Sequence, residues 1–131
     1  MPHTLHGIGV ASQIGAYSDA VGVDPNLRWL LTSGTPDLSA AGELLKDIVG
    51  ETELAWAHIV RILESADMQV ADIVKVTRYL TKPEDIPAYA EVRTRFLGDP
   101  RPASMLVISQ LVWPKFLVEV EIIAAKGGAK P

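Results

Sequence analysis

The sequence predicts an α+β fold in which two helices pack on one face of a β-sheet. Two segments carry apolar residues at helical spacing, and five others are rich in β-branched and aromatic residues. The predicted order is β-β-α-β-α-β-β, which favours a sheet covered by helices on one side. With 131 residues, the chain has the size of one domain. We predict a single domain over residues 1–131, with an N-terminal segment at 1–12 and a flexible tail at 126–131.

The first helix is predicted from Ile48 to Ala66. Its apolar stripe comprises Leu54, Ala55, Ile59, Ile62, Leu63 and Ala66, whereas Glu51, Glu53, Arg61 and Glu64 fall mostly outside that stripe. Asp47 is a suitable N-cap, because its carboxylate can accept hydrogen bonds from the first amides of the helix. The second helix is predicted from Pro83 to Leu97, since proline fits a first helical turn and Gly98 follows the last.

The strands are bounded by glycine, proline and other turn residues. The predicted strands are Ser18–Val23, Leu27–Thr32, Ile73–Leu80, Ala103–Val112 and Phe116–Ala125. Short turn segments separate the first two strands and the last two. We therefore predict that each of these pairs forms a hairpin.

The last predicted strand has one apolar face and one mixed face. Phe116, Val118, Val120, Ile122 and Ala124 alternate with Leu117, Glu119, Glu121, Ile123 and Ala125. The apolar face is expected to contact the helices. The mixed face keeps more apolar residues than a solvent-facing sheet needs, which predicts that another subunit covers it.

Charge and composition narrow the possible functions. The formal net charge is −4, so binding to nucleic acid or to an anionic membrane is not expected. The chain has no cysteine, which excludes disulfides, thiolate metal sites and cysteine nucleophiles. Residues 1–10 do not resemble a signal peptide, and no segment is long and apolar enough to span a bilayer. A cytoplasmic protein is therefore predicted.

Few residue patterns point to chemistry by themselves. His3, His6 and His58 lack the spacing of a metal site and are interpreted as surface or packing residues. Glu119 and Glu121 are either solvent-facing carboxylates or acid–base groups in a cleft between subunits. Tyr17 and the Ser33-Gly34 turn likewise have a structural and a ligand-binding interpretation, and spacing does not decide between them.

Five motifs in order make the sequence more specific. They are Ile14-Gly15-Ala16-Tyr17-Ser18, Thr32-Ser33-Gly34, Asp72-Ile73-Val74-Lys75-Val76-Thr77, Trp113-Pro114-Lys115 and Glu119-Val120-Glu121-Ile122-Ile123-Ala124. Together they resemble the RidA/YjgF family of enamine/imine deaminases, also called the endoribonuclease L-PSP family. The resemblance runs from about Ile14 to Ala125.

The resemblance implies a chorismate-mutase-like fold and a homotrimer with ligand clefts between subunits. It also implies that Tyr17, Ser33, Gly34 and Glu119 line the cleft. Glu119 would position or activate water to hydrolyse a C=N bond, which releases ammonia. This chemistry requires neither a metal nor an organic cofactor, so none is expected.

The sequence departs from the family pattern where the substrate carboxylate would bind. In Arg101-Pro102-Ala103-Ser104-Met105-Leu106, Ser104 occupies the position of the family's clamping arginine, and Ala90 occupies that of an asparagine. A hydroxyl cannot replace a bidentate guanidinium. Arg101 lies three residues away and is a candidate to compensate. The strand Ser104–Leu106 is expected to shape the pocket, and the substrate is expected to be less acidic or more apolar than a small amino-acid imine.

Three functions remain open at this point. The first is a C=N hydrolase with altered substrate preference, and the second is a trimer that binds a small metabolite without turning it over. RNA cleavage ranks last because the chain is acidic and has no basic stripe.

Overall fold

The computed structural model describes residues 3–36 and 47–128. Its strands are β1 (Thr4–His6), β2 (Ala20–Gly22), β3 (Leu27–Leu31), β4 (Ile73–Leu80), β5 (Ala103–Ile108) and β6 (Val118–Gly127). Its α-helices are α1 (Ile48–Ser65) and α2 (Ile86–Leu97), and a 3-10 turn over Pro83–Asp85 leads into α2. The predicted α+β fold is confirmed, and the helix and strand bounds mostly agree with the predictions.

The main sheet has the strand order β3-β6-β4-β5. Strands β4 and β5 are parallel, and β6 is antiparallel to both β3 and β4. The predicted hairpin between the last two strands is therefore wrong. A parallel pair needs a long crossover, which α2 supplies between β4 and β5, and β6 then inserts between β3 and β4. Residues 109–117 form the irregular connection that allows this.

The predicted pairing of the first two strands is also wrong. Strand β2 pairs with β1 in a separate two-stranded sheet, with Leu5 opposite Val21. All of β3 pairs with β6, which is long enough to extend past β4. Between β2 and β3, Asn26 turns the chain with a φ of 64°. In the N-terminal segment, His3 is buried, and its Nε2 lies 3.0 Å from the carbonyl oxygen of Asp72.

Both helices cover the same face of the main sheet, as predicted. The core contains Val118, Val120, Ile122 and Ala124 of β6, Val76 and Leu80 of β4, Ala55, Trp56, Ile59 and Leu63 of α1, and Tyr89 and Leu97 of α2. Within it, the indole Nε1 of Trp56 donates to the hydroxyl of Tyr89 at 3.3 Å. This contact joins the two helices over the centre of the sheet.

The sequence pattern predicted that Glu51 lies outside the apolar face of α1. In the structure Glu51 is buried instead. Only 1% of its surface is exposed, and its Oε1 accepts a hydrogen bond from the Leu117 amide at 2.9 Å. A buried carboxylate is tolerated when backbone donors satisfy it. Glu51 therefore fixes the chain immediately before β6, and so helps to set the register of the strand that carries Glu119.

The opposite face of the main sheet stays open in the single chain. Trp29, Leu31 and Met105 lie on it with exposed fractions of 53%, 68% and 53%. Their neighbours across the strands are Ala125, Ile123 and Thr77. This mixed and largely apolar surface agrees with the alternation read from the sequence.

Strand β6 extends to Gly127. Lys126 pairs with Arg28, and its Nζ donates to the carbonyl oxygen of Asp67 at 2.8 Å. Lys126 and Gly127 therefore belong to β6 and not to the predicted tail. Residues 129–131 lie outside the described part of the chain. Over residues 3–36 and 47–128, no helix is long and apolar enough to cross a membrane.

Asp47 caps α1 as predicted, since its Oδ1 accepts from the Gly50 amide at 2.7 Å. We expect Asp47→Ala to lower the free energy of unfolding by about 1 kcal/mol, because a helix amide loses its partner. Urea unfolding monitored by circular dichroism measures this change. Glu64→Ala, on the exposed side of the same helix, is the control, and equal losses in both variants would contradict the capping role.

Candidate functional site

Glu119 lies on β6 and projects from the sheet face opposite the helices. Its neighbours Val118 and Val120 point into the core, and its partner across the ladder is Tyr79. The Glu119 side chain is partly buried. Burial raises the pKa of its carboxyl, and the charge of Glu121 raises it further. A carboxyl of this kind is suited to hold and transfer a proton nearer neutral pH than an ordinary glutamate.

The Ser33-Gly34 turn lies directly against Glu119. On one side of the turn, the Thr32 amide donates to the Ile122 carbonyl at 3.1 Å. On the other side, Thr35 and Val120 exchange two backbone hydrogen bonds of 2.8 and 3.1 Å. The turn is thus held at both ends along β6. A Cβ atom at residue 34 would collide with Oε1 of Glu119, so a larger residue there would displace the carboxylate from this position.

Glu121 has a different environment from Glu119. Its Oε1 accepts a hydrogen bond from the Tyr79 hydroxyl at 3.0 Å, and this bond is the main reason that the pKa of Tyr79 is raised. Of the two carboxylates that the sequence proposed, Glu121 is thus engaged with a neighbouring strand. Glu119 is the one whose surroundings favour proton transfer.

The coupling between these carboxylates gives a prediction about titration. We expect Glu121→Gln to lower the pKa of Glu119, because removing a nearby negative charge makes ionisation easier. The amide oxygen of the glutamine can still accept from Tyr79. Carbon-detected NMR of the Glu119 carboxyl follows the titration in both proteins. A pKa that rises or stays the same in the variant would show that burial alone causes the shift.

Tyr17 lies at the β5 edge of the main sheet, beside the start of that strand, whereas the Ser33-Gly34 turn lies near β6. Ser18 forms a parallel bridge with Ala103, and its amide donates to the Pro102 carbonyl at 3.2 Å. The segment is also tied to the N-terminal part of the chain. There, the carboxylate oxygens of Asp19 accept from the amides of Ile8 and Ala11 at 2.8 and 2.9 Å. These bonds position the partly buried ring of Tyr17.

The predicted pocket strand Ser104–Leu106 presents its residues to both faces of the sheet. Ser104 is the ladder partner of core residue Val76, and Leu106 packs against the core, so both face the helices. Met105 faces the other way and is exposed. The hydroxyl oxygen of Ser104 accepts a hydrogen bond from Nη1 of Arg78. Sequence analysis did not select Arg78.

A small cavity of about 220 Å³ adjoins this region. Ala16, Arg93 and Arg101 are among the residues that line it. Arg101 is exposed and donates from Nη1 to the Asp99 carbonyl oxygen at 3.1 Å, whereas Arg93 is only 8% exposed. Ala90 lies one helical turn before Arg93 on α2 and is partly buried. Arg93 was also missed by the sequence analysis.

The predicted site residues therefore fall into two groups. Glu119, Ser33 and Gly34 lie around β6, with the Glu119 carboxylate on the open face of the sheet. Tyr17 and Ser104 lie around β5, with Ser104 and its partner Arg78 on the helix-covered face. Because successive strand residues point to opposite faces, one chain does not bring the two groups together around one small molecule.

The described residues contain no group of three or more histidine, aspartate or glutamate side chains that could hold a metal ion. A groove of about 650 Å³ lies at the carboxyl ends of β4 and β5. Lys82, Ile108, Leu111 and Leu117 help to line it, but none of the predicted site residues does.

The chain matches a known protein family over most of its length. The family model for endoribonuclease L-PSP matches residues 9–126. The chain belongs to the endoribonuclease L-PSP family, also known as RidA/YjgF. A RutC family protein of Pyrococcus horikoshii is 33% identical over 115 residues, which cover 86% of this chain and 89% of that protein. A RutC family protein of Pasteurella multocida is 32% identical and covers 96% and 99% of the two chains.

Solved structures of the RidA/YjgF family share the fold. A Rid family protein of unknown function from Yersinia pestis superposes with a TM-score of 0.80 at 24% identity, over 96% of this chain and 100% of that one. RidA from a Psychrobacter species gives a TM-score of 0.70 at 29% identity, over 85% and 89%. TdcF of E. coli, solved with bound serine, gives 0.71 at 25% identity, over 87% and 91%.

Proposed function

We propose that this RidA/YjgF family protein hydrolyses a C=N bond in a small imine or enamine, with a substrate preference altered by Ser104. The observation that carries the proposal is Glu119, whose raised pKa and contact with Gly34 create a confined acid–base group. The backbone of the Ser33-Gly34 turn lies beside it. This combination suits a reaction in which water must be oriented and a proton moved.

The proposed reaction needs only water and one carboxylate. The Glu119 carboxylate accepts a proton from water as the oxygen bonds to the imine carbon, and the C=N π electrons move to nitrogen. The same carboxyl then donates the proton to nitrogen. In the resulting amino alcohol, the hydroxyl proton passes to nitrogen by way of the same carboxylate, the C=O bond forms and the C–N bond breaks, which releases ammonia. In this proposal Tyr17 lines the pocket and can hydrogen-bond the substrate.

The complete pocket requires two copies of the chain. Glu119 and the Ser33-Gly34 turn form one half, and Tyr17 with the Ser104 strand forms the other half. The open sheet face carries Trp29, Leu31 and Met105, and monomers rarely expose such a surface. We propose that neighbouring copies, in the homotrimer expected from the family, cover this face and join the two halves.

The relatives support a small polar ligand. TdcF of E. coli was solved with bound serine, an amino acid, and shares 25% sequence identity with this chain. A neighbouring structure is named RidA. These likenesses support the proposed reaction class.

Release of ammonia from a panel of imines tests the proposal. The panel contains imines of 2-oxo acids, of the corresponding amides and of simple apolar ketones, each generated in the assay from ammonia-free precursors. The proposal expects at least one imine to be hydrolysed faster than in buffer. Thermal stabilisation by these compounds without turnover of any of them would favour the metabolite-binding function instead.

A further inference from the structure

Two guanidinium groups lie near each other on the helix-covered side of β4 and β5, and no carboxylate in residues 3–36 and 47–128 pairs with either of them. Arg78 projects from β4 and Arg93 from α2, and the charge of Arg93 acts on Arg78. Among the described residues, neither forms an ion pair. The Nε atoms of both are buried and have no hydrogen-bond partner in this part of the chain. Of the described residues that line the adjoining cavity, Asp99 alone is acidic, and it forms no ion pair with Arg78 or Arg93.

Arg78 is nevertheless held firmly in place. Its Nη1 donates to the Ser104 hydroxyl, and its guanidinium carbon lies 5.6 Å from the centre of the Tyr89 ring. Burial lowers the pKa of Arg78 most strongly, although the nearby Tyr89 and Tyr17 groups oppose this effect. The residue is partly exposed, in contrast to Arg93, so a ligand can reach it.

This arrangement is unfavourable unless something anionic joins it. Burying a cation without a counter-charge or full hydrogen bonding destabilises a fold. Arginine is the residue best suited to grip a carboxylate, because its planar donors match the two oxygens. The guanidinium of Arg78 keeps donors beyond its one bond to Ser104, and together with the neighbouring Tyr17 it defines a place for a carboxylate.

We propose that Arg78 binds the carboxylate of the substrate, and that it takes over from β4 the position left by the missing arginine at residue 104. Ser104 is then a positioning residue: its small side chain makes room for the Arg78 guanidinium and orients it. Arg93, on α2, adds positive charge near Arg78. This inference rests on the proposed function for the identity of the ligand as a substrate, and it replaces the expectation of a less acidic substrate.

Binding of a stable product analogue tests the inference without requiring catalysis. Pyruvate and its uncharged amide are titrated into the wild-type protein and into Arg78→Gln, with calorimetry as the readout. We expect the wild type to prefer pyruvate. The variant should lose roughly 10- to 100-fold in pyruvate affinity and little in amide affinity, since a charge-assisted contact is removed. Arg95→Gln, which alters an exposed arginine on the same helix as Arg93, is the matched control and should bind like the wild type.

A double variant separates a binding role from a purely structural one. Arg78→Val should weaken pyruvate binding, and Arg78→Val combined with Ser104→Arg should restore it, because the guanidinium returns from the other strand. Arg78→Lys serves if the uncharged variants do not fold, and an intermediate affinity is expected from a charge without the planar fork. Equal affinity for pyruvate and the amide in the wild type, or unchanged pyruvate binding in folded Arg78→Gln or Arg78→Lys, would overturn the proposal.

The two proposals fail in different ways. If no imine is hydrolysed but Arg78→Gln still loses pyruvate affinity, the hydrolase proposal fails and the carboxylate site stands. If imines are hydrolysed and Arg78→Gln has the same KM for acid and amide substrates as the wild type, the carboxylate site fails and the hydrolase proposal stands.

Discussion

Replacing Glu119 by glutamine is expected to lower the rate of imine hydrolysis by roughly 10²- to 10⁴-fold, the usual effect of removing a general acid–base group. The amide keeps the size and hydrogen-bonding shape of the side chain but cannot carry the proton. Ammonia release under single-turnover conditions measures the chemical step directly. Glu64→Gln, on the exposed side of α1, is the control and should retain the wild-type rate.

Loss of folding does not explain the expected result for Glu119→Gln. Because the pKa of Glu119 is raised in the folded protein, its ionisation opposes folding. This penalty is absent below the unfolded-state pKa, grows as the pH rises, and is complete above the folded-state pKa. The glutamine variant should therefore be at least as stable as the wild type at neutral pH. Thermal unfolding verifies this, and a stable variant with the wild-type hydrolysis rate would remove Glu119 from the mechanism.

Mixing two impaired variants is expected to restore part of the activity at substrate concentrations below the wild-type KM. Glu119→Gln impairs one half of the proposed pocket, and Arg78→Gln impairs the other half through carboxylate binding. When subunits exchange in a ring-shaped oligomer, about a quarter of the pockets combine two intact halves. An equal mixture, denatured and refolded together, should therefore recover about a quarter of the wild-type activity toward a carboxylate-bearing imine.

The double variant Glu119→Gln/Arg78→Gln, refolded with the wild type, is the control for this experiment. Each pocket in that mixture is intact only when both contributing subunits are wild type, so the activity should fall from about half of the wild-type value before exchange to about a quarter after it, whereas the mixture of single variants should rise to about a quarter. If co-refolded single variants gain no activity although mass measurements show mixed oligomers, both halves of each pocket belong to one chain, and the shared site is wrong.

The secondary structure was predictable because each pattern is local. The N-cap at Asp47, the strand Ile73–Leu80 and the apolar face of β6 follow from the spacing of residues a few positions apart. The pairing of strands was not predictable in this way. Whether β5 pairs with β4 or with β6 depends on how α2 lies on the sheet, which is a property of the whole chain.

The site residues that belong to sequence motifs were predictable, whereas those that packing brings to the site were not. Glu119, Gly34 and Tyr17 were selected from motifs, and the structure adds the contact between Gly34 and the Glu119 carboxylate. Arg78 belongs to no motif and was not singled out from the sequence. A charged residue placed two positions after buried Val76 has the parity of the core face, and this was the available sign that it is unusual.

The division of site residues between the two faces of the sheet has a thermodynamic consequence. A ligand that contacts Glu119 of one copy and Tyr17 or Arg78 of another stabilises the contact between the two protomers. Ligand binding therefore favours subunit association, and subunit association favours ligand binding. The quaternary equilibrium and the binding equilibrium of such a protein form one linked system. Its affinity for metabolites then depends on how much of the polypeptide the cell contains.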